Sequence, residues 1–144
     1  MVSSIGEYVI KFEKKISNYT KAKFAIAVVN GTSGLHLALQ VLNVNYKCEV
    51  LVPAMTFVAT ANSVRHCGAT PHFVDIENET LGIDTHKLRK YLKKISIQRN
   101  KQCINLKTKK VIKAIIPVHV FGHPSKMDEI TSIAKEFNLK IIED

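Results

Sequence analysis

A turn at residues 30–33 has the backbone and side chains to bind an anion. The run from Phe24 to Val29 is apolar and rich in β-branched residues, and Asn-Gly-Thr-Ser follows it directly. Thr32 or Ser33 can cap a helix, because a hydroxyl accepts a hydrogen bond from a free N–H of the first turn. A helix N-terminus also attracts anions, and phosphate is the usual one. The spacing is neither GxGxxG nor a P-loop, and a plain capped helix is the alternative.

Three further side chains could complete a cofactor site. Phe57 offers an aromatic face, Asp144 a carboxylate and His119 an imidazole. A phosphate site, a flat ring and an anion together suit pyridoxal phosphate, whose protonated pyridine nitrogen needs a carboxylate partner. Each residue also has a structural explanation, and Phe57 alone would more often be a core residue. His119 and His123 are four apart like a metal pair, but a glycine and a proline interrupt any helix there, so we expect no metal site.

Strands and helices alternate along the sequence. Short apolar runs predict strands at 24–29, 49–52, 71–76, 111–118 and 139–143, and periodicity or capping predicts helices at 6–20, 32–42, 57–67, 84–94 and 125–138. This alternation is typical of right-handed βαβ units, so we predict an α/β fold with a mostly parallel sheet flanked by helices. Ligands of such sheets bind beyond the carboxyl ends of the strands. This rule selects residues 30–33, 54–57, 118–123 and 144.

Two further local predictions follow from residue type. Residues 95–110 are polar, basic and weakly periodic, which predicts a loop or an excursion from the domain. Ser125 with Asp128 resembles a capping box, which predicts that the hydroxyl and the carboxylate close the start of the last helix.

Composition sets the class of protein. The 144 residues suffice for one domain with a hydrophobic core, and 46% hydrophobic with 23% charged residues is typical of a soluble chain. No apolar run of about 18 residues is long enough to span a membrane, and the N-terminus has no signal-peptide pattern. Three cysteines without CxxC spacing suggest a reducing compartment. We therefore expect a cytoplasmic protein without a membrane partner.

The net charge of +9 comes from one stretch of the chain. Residues 87–113 contain 11 basic residues and no acidic one, whereas the rest of the chain has 10 basic and 12 acidic residues. Such a stretch could bind nucleic acid, but Tyr91 is its only aromatic residue. The pattern favours a solvated face or an insertion over a nucleic-acid site.

The sequence resembles the DegT/StrS family of sugar aminotransferases, which are fold-type I pyridoxal-phosphate enzymes. The matching stretches are FEKKISNYTKAKFAIAVVNGTSGLHLAL, VLVPAMTFVATANSVRHCGATPHFVDIENETLGID, KAIIPVHVFGHPSKMDEI and LKIIED, which leave out little besides residues 87–112. The basic stretch is similar to an insertion in members that act on nucleotide-linked 4-keto-6-deoxy sugars. The resemblance implies that residues 1–144 are an incomplete N-terminal part of the large cofactor domain, with a basic insertion at about 95–110.

The resemblance also implies roles for single residues. Thr32 and Ser33 correspond to the residues that bind the cofactor phosphate, Phe57 to the ring that stacks on the pyridine, and Asp144 to the partner of the pyridine nitrogen. Gly31 and His119 are further candidates in the cofactor site. The Schiff-base lysine of the family follows this aspartate, so we expect it beyond Asp144, and the 144 residues alone should be inactive.

The implied function is that of part of a nucleotide-sugar aminotransferase. The resemblance implies that glutamate supplies the amino group, that a nucleotide-linked keto sugar accepts it, and that the full-length enzyme is a homodimer. Two alternatives remain open. One is a pyridoxamine-phosphate-dependent sugar dehydratase of the same family, in which histidine replaces the lysine. The other is a non-catalytic binding domain that uses the basic stretch for an acidic partner.

Overall fold

The structure, a computed structural model, describes residues 6–144. The chain divides into an N-terminal unit, Met1–Gly31, and a larger unit, Thr32–Asp144. In the N-terminal unit, helix α1 spans Glu7–Thr20, and this confirms the helix predicted at 6–20. Helix α1 ends at Lys21, which has a left-handed backbone with φ 57°.

The strand predicted at 24–29 is wrong. This stretch has no regular secondary structure, and the side chains of Phe24, Ile26 and Val29 are exposed. One of its contacts is a hydrogen bond of 2.8 Å from the Ala27 N–H to the Glu13 carboxylate. A strand forms only when its backbone pairs with a neighbouring strand, and the described residues offer this stretch no such pairing. Apolar composition alone therefore gave the wrong result.

The larger unit is organised around a sheet that contains six strands in the described residues. These are β1 (Cys48–Pro53), β2 (Thr70–Val74), β3 (Ser96–Arg99), β4 (Gln102–Asn105), β5 (Val111–Ile115) and β6 (Lys140–Ile141). Strand β1 pairs in parallel with β2 and β5, and β5 pairs in parallel with β6. Strand β4 pairs in antiparallel fashion with both β3 and β5. The prediction of a mostly parallel sheet is confirmed.

Helices cover both faces of this sheet. They are α2 (Gly31–Val41), α3 (Val58–His66), α4 (Thr85–Ile95) and α5 (Met127–Phe137). Successive side chains of β1 point to opposite faces. Leu51 packs in one buried cluster with residues of α4 and α5, whereas Val50 and Val52 pack in a second cluster with residues of α2 and α3. The sheet is therefore the middle layer of an α/β fold.

The loop predicted at 95–110 is wrong, because most of this segment is the β3–β4 hairpin. Asn100 and Lys101 join the two strands, and both have positive φ, at 50° and 57°. A two-residue turn of this kind matches the twist of the flanking strands. Strand β4 pairs with β5, and Cys103 is buried in the core beside it. The four-residue strands were too short and too polar to show an alternating pattern.

The capping box predicted at Ser125 and Asp128 does not form. Helix α5 begins at Met127, and no side chain caps it at Lys126. The Ser125 hydroxyl instead donates a hydrogen bond of 2.9 Å to the Val118 carbonyl. A serine hydroxyl has one proton to donate. Ser125 uses it to hold the segment after β5, so the hydroxyl does not cap α5.

A buried carboxylate joins the hairpin segment to the parallel strands. Glu49 of β1 is 1% exposed and accepts hydrogen bonds from His72 Nδ1 at 2.8 Å, from Asn105 Nδ2 at 3.0 Å and from the Thr108 hydroxyl. His72 Nε2 lies 3.0 Å from the Tyr91 hydroxyl of α4. Burial alone would raise the pKa of Glu49, but these hydrogen bonds and the charge of His72 lower the pKa to about 2. Glu49 is therefore a charged structural residue.

Part of the basic stretch is neutralised by ion pairs within the domain. Arg89 Nε and Lys93 Nζ of α4 lie 3.0 and 3.4 Å from the Glu136 carboxylate of α5. Lys87 Nζ lies 3.3 Å from the carboxylate of Asp75. The side chains of Lys87, Arg89 and Lys93 therefore form ion pairs with other elements of the domain, at a surface that also faces solvent.

The structure also shows the state of the cysteines, the character of the helices and the grouping of possible metal ligands. Cys48, Cys67 and Cys103 are free thiols, and burial raises the pKa of Cys67 and of Cys103. None of the helices in residues 6–144 has the length and the apolar character needed to cross a membrane. In the same residues, no three His, Cys, Asp or Glu side chains are grouped so as to hold a metal ion.

The Glu49 network predicts a pH-dependent loss of stability. We expect Glu49→Gln to lower the free energy of unfolding at pH 7 by about 2 kcal/mol, because hydrogen bonds to a charged group are lost. The pKa of Glu49 is lower in the folded state than its ordinary value of 4.5. Its contribution is therefore complete above about pH 4.5 and is lost as the pH falls towards 2. Urea denaturation from pH 2.5 to 7 measures the difference between the two proteins.

The matched control for this measurement is Glu7→Gln, since Glu7 lies on an exposed part of α1. We expect this control to differ from the wild type by less than about 0.5 kcal/mol at every pH. A difference between wild type and Glu49→Gln that stayed constant down to pH 2.5 would contradict the assignment of Glu49 as a charged residue.

The hairpin predicts that residues 96–105 are needed for the fold. We expect that replacing them with a short Gly-Ser linker lowers the thermal midpoint by on the order of 10 °C, because β5 loses a neighbour and the core loses Cys103. The control is Lys101→Gly, which should keep or slightly raise the midpoint since glycine adopts positive φ freely. Differential scanning calorimetry measures both, and a linker variant as stable as the wild type would show that the hairpin is dispensable.

Candidate functional site

The residues selected after β1, β5 and β6 come together at the carboxyl ends of the parallel strands. A cavity of about 320 Å³ lies there, lined by Met55, Thr56, Phe57, Val118, His119, Val120 and Phe121. The lining residues come from the segments that follow β1 and β5. The sheet therefore places its loops as expected for an α/β fold.

Asp144 is held beside this cavity by its backbone and its side chain. Its N–H donates to the Pro117 carbonyl at 3.0 Å, and its carbonyl accepts from the His119 N–H at 2.9 Å. Its carboxylate oxygen Oδ2 accepts a hydrogen bond of 2.5 Å from the Thr60 hydroxyl of α3. Asp144 and His119, which are predicted site residues, are thus neighbours in the structure.

The imidazole of His119 is fixed from both sides. Its Nδ1 accepts a hydrogen bond of 3.2 Å from the Ser125 N–H, and its Nε2 lies 3.1 Å from the Glu143 carboxylate. Because Nδ1 is an acceptor, the ring proton is on Nε2, which donates to Glu143. The side chain of His119 is 27% exposed, so the ring lies at the edge of the cavity with a defined orientation.

Two aromatic rings are exposed at the cavity. Phe57 precedes α3 with an extended backbone and is 76% exposed. Phe121 is 92% exposed and has a left-handed backbone with φ 54°. Exposed aromatic rings around a concave site are typical of surfaces that bind a ligand. Phe57 was predicted from sequence as a site residue, whereas Phe121 was included only in the selected range 118–123.

Gly31, Thr32 and Ser33 form the first turn of α2. Leu35 and Leu39 of the same helix pack into the core against β1, which anchors the turn. The first turn has no acidic residue, and a β-carbon added at Gly31 would meet no atom within 4 Å. The absence of an acidic residue from this first turn favours an anion there. No α2 residue is among those that line the described cavity.

Two threonines of the site were given no role from the sequence, although Thr56 lies in the selected range 54–57. Thr60 is fully buried, and Thr56 donates to it a hydrogen bond of 2.8 Å between the two hydroxyls. Thr56 lies before α3, which begins at Val58, so helical spacing does not relate the two threonines. We find no signal in the sequence that pairs them.

The whole chain matches one protein family. The model of the DegT/DnrJ/EryC1/StrS aminotransferase family matches residues 1–144. GDP-perosamine synthase from Caulobacter vibrioides is 41% identical over 143 residues, which are 99% of this chain and 34% of that protein. The chain therefore spans about a third of the length of the curated relatives that it matches.

Solved structures of aminotransferases are also similar to this chain. A DegT DnrJ EryC1 StrS aminotransferase from Brucella abortus is 34% identical, with a TM-score of 0.84 over 97% of this chain and 35% of that one. NtdA from Bacillus subtilis, crystallised with bound cofactor PMP, is 33% identical, with a TM-score of 0.78 over 96% of this chain and 28% of that one. These neighbours confirm the predicted fold class, that of the fold-type I aminotransferases.

Proposed function

Because the chain belongs to the DegT/DnrJ/EryC1/StrS aminotransferase family, we propose that it forms part of the cofactor domain of a nucleotide-sugar aminotransferase. The cofactor is pyridoxal phosphate, as the bound pyridoxamine form in a structural neighbour supports. The observation that carries the proposal is the placement of Asp144. Its backbone carbonyl accepts a hydrogen bond from His119 of the cavity lining, and its carboxylate accepts one from Thr60.

The residues present fit this cofactor by their chemistry. The cavity of about 320 Å³ is large enough for a substituted pyridine ring. Phe57 exposes an aromatic face at the cavity, and Asp144 supplies a carboxylate beside it. Thr32 and Ser33 supply hydroxyls at a helix N-terminus that has no acidic residue in its first turn.

When bound, pyridoxal phosphate supplies an electron-withdrawing ring that stabilises a carbanion during transamination. The Asp144 carboxylate would keep the proton on the ring nitrogen, since an adjacent negative charge favours the protonated form. Thr32 and Ser33 would hold the phosphate by hydrogen bonds. Phe57 would orient the ring by stacking, and His119 would support Asp144 through its backbone N–H.

The substrates are proposed from the relatives. The name GDP-perosamine synthase supports a nucleotide-linked sugar as the acceptor, and we propose that its keto form receives the amino group. Glutamate is the proposed donor and a homodimer the proposed assembly, both by family resemblance. The proposed location is the cytoplasm, where free cysteines such as the three of this chain are usual.

The proposal predicts that the Asp144 carboxylate is essential. In the full-length enzyme we expect Asp144→Asn to lower kcat by at least about a thousandfold, because the ring nitrogen loses its charged partner and the ring becomes a poor electron sink. The assay follows the amino sugar formed from a nucleotide-linked keto sugar and glutamate by mass spectrometry. The same measurement separates amination from dehydration of the sugar.

The matched control for this prediction is Asp128→Asn, which removes an exposed carboxylate from the first turn of α5. Its kcat should stay within about twofold of the wild type. An Asp144→Asn enzyme that retained wild-type turnover would refute the proposed role of Asp144.

The first turn of α2 predicts a phosphate-specific effect. We expect Thr32→Ala to weaken the binding of pyridoxamine phosphate by about 1 kcal/mol, roughly fivefold in Kd, because a hydrogen bond to a charged group is lost. Thr32→Ser keeps the hydroxyl and should bind within about twofold of the wild type. Fluorescence titration with pyridoxamine, which lacks the phosphate, provides the control. If Thr32→Ala weakened the binding of both ligands equally, Thr32 would not be a phosphate contact.

A further inference from the structure

We propose that Thr60 is a positioning residue for Asp144 and that Thr56 fixes the direction of its hydrogen bond. This inference rests on the proposed function, because it concerns how the carboxylate is presented to the cofactor. It follows from the hydroxyl chain that runs from Thr56 through Thr60 to Asp144.

The direction of this chain is determined by the number of protons. Each threonine hydroxyl has one proton to donate. Thr60 donates its proton to Asp144 Oδ2 at 2.5 Å, so its oxygen can only accept from another group. Thr56 is that group, and it donates to the Thr60 oxygen at 2.8 Å. A carboxylate that accepts only is therefore the end point of the chain.

Thr60 is well placed to restrict the movement of the carboxylate. Its side chain is fully buried, whereas Asp144 is exposed. A β-branched side chain has few rotamers, and Thr60 lies in the first turn of α3, where its N–H bonds to the Phe57 carbonyl at 3.0 Å. The buried side chain of Thr60 therefore restrains the carboxylate of Asp144.

The contact also has a consequence for the two carboxylate oxygens. Thr60 occupies one lone pair of Oδ2, so we infer that Oδ1, with both lone pairs, pairs with a protonated ring nitrogen. The backbone bonds of Asp144 to Pro117 and His119 fix its main chain, and Thr60 adds the restraint on the side chain. Such a restraint lowers the entropy lost when the carboxylate engages the cofactor.

The test uses the full-length protein and pyridoxamine phosphate, which binds without forming an imine. Fluorescence titration gives the Kd, and the 15N chemical shift of the labelled ring nitrogen gives the pH at which the bound ring loses its proton. Four variants are compared with the wild type: Thr60→Val, Thr60→Ser, Thr56→Val and Asp144→Asn. Thr131→Val on α5 is the matched control for threonine replacement on a helix.

We expect Thr60→Val to shift the ring deprotonation to lower pH by about one unit, which is a tenfold change in that equilibrium, and to raise the Kd by about fivefold. Thr60→Ser should restore both values to within about twofold of the wild type, because it keeps the hydroxyl. Thr56→Val should produce a smaller shift in the same direction. The control should reproduce the wild type.

The two proposals fail in different ways. If the wild type bound no pyridoxamine phosphate, or if Asp144→Asn left the ring deprotonation unchanged, the proposed function would be wrong and the inference about Thr60 with it. If Asp144→Asn moved the ring deprotonation but Thr60→Val did not, only the positioning role would be refuted. Should Thr60→Val fail to fold, Thr56→Val decides, and a wild-type ring deprotonation in that variant refutes the proposal.

Discussion

The site depends on the parallel hydrogen-bond ladder between β5 and β6, which continues past the ends of both strands. The Ile142 N–H donates to the Ile115 carbonyl at 3.1 Å, and the Asp144 N–H donates to the Pro117 carbonyl at 3.0 Å. The next bond runs the other way, from the His119 N–H to the Asp144 carbonyl at 2.9 Å. Since parallel strands end at the same edge of a sheet, this ladder places the carboxylate beside the loop that contains His119.

Glu49 and Asp144 each accept a hydrogen bond from a threonine hydroxyl, and their surroundings give them different uses. Glu49 is buried, and partners from β2 and from the segment at the end of β4 engage both of its oxygens. A buried carboxylate whose two oxygens are both hydrogen-bonded avoids the cost of an unpaired buried charge, and its oxygens are already engaged within the domain. Asp144 is exposed, and Thr60 engages one of its oxygens. This difference in saturation is a physical reason to place the ligand at Asp144.

The sequence predicted the parts of the fold that depend on local pattern. The apolar runs of β1 and β5, the periodic helices and the alternation of the two were sufficient for the α/β class and for the edge where Phe57, His119 and Asp144 lie. The run 24–29 has the composition of a strand, but strand formation depends on a partner that composition does not report. The hairpin was missed for the opposite reason, because its strands are polar and its turn uses positive φ at Asn100 and Lys101.

The contact between Thr60 and Asp144 could not have been predicted from the sequence. Thr60 lies 84 residues from Asp144 in the sequence, and no motif joins them. The Thr60 hydroxyl reaches the Asp144 carboxylate only because the folded chain packs α3 beside the residues that follow β6. The strained backbone of Phe121 is a second case, since a positive φ in a non-glycine residue is unfavourable and is present here at the rim of the cavity. Positive φ is not confined to the site, because Asn43, Leu81, Asn100, Lys101, Lys109 and Asn138 of the larger unit also have it. Only the packed structure therefore shows which residue with positive φ borders the cavity.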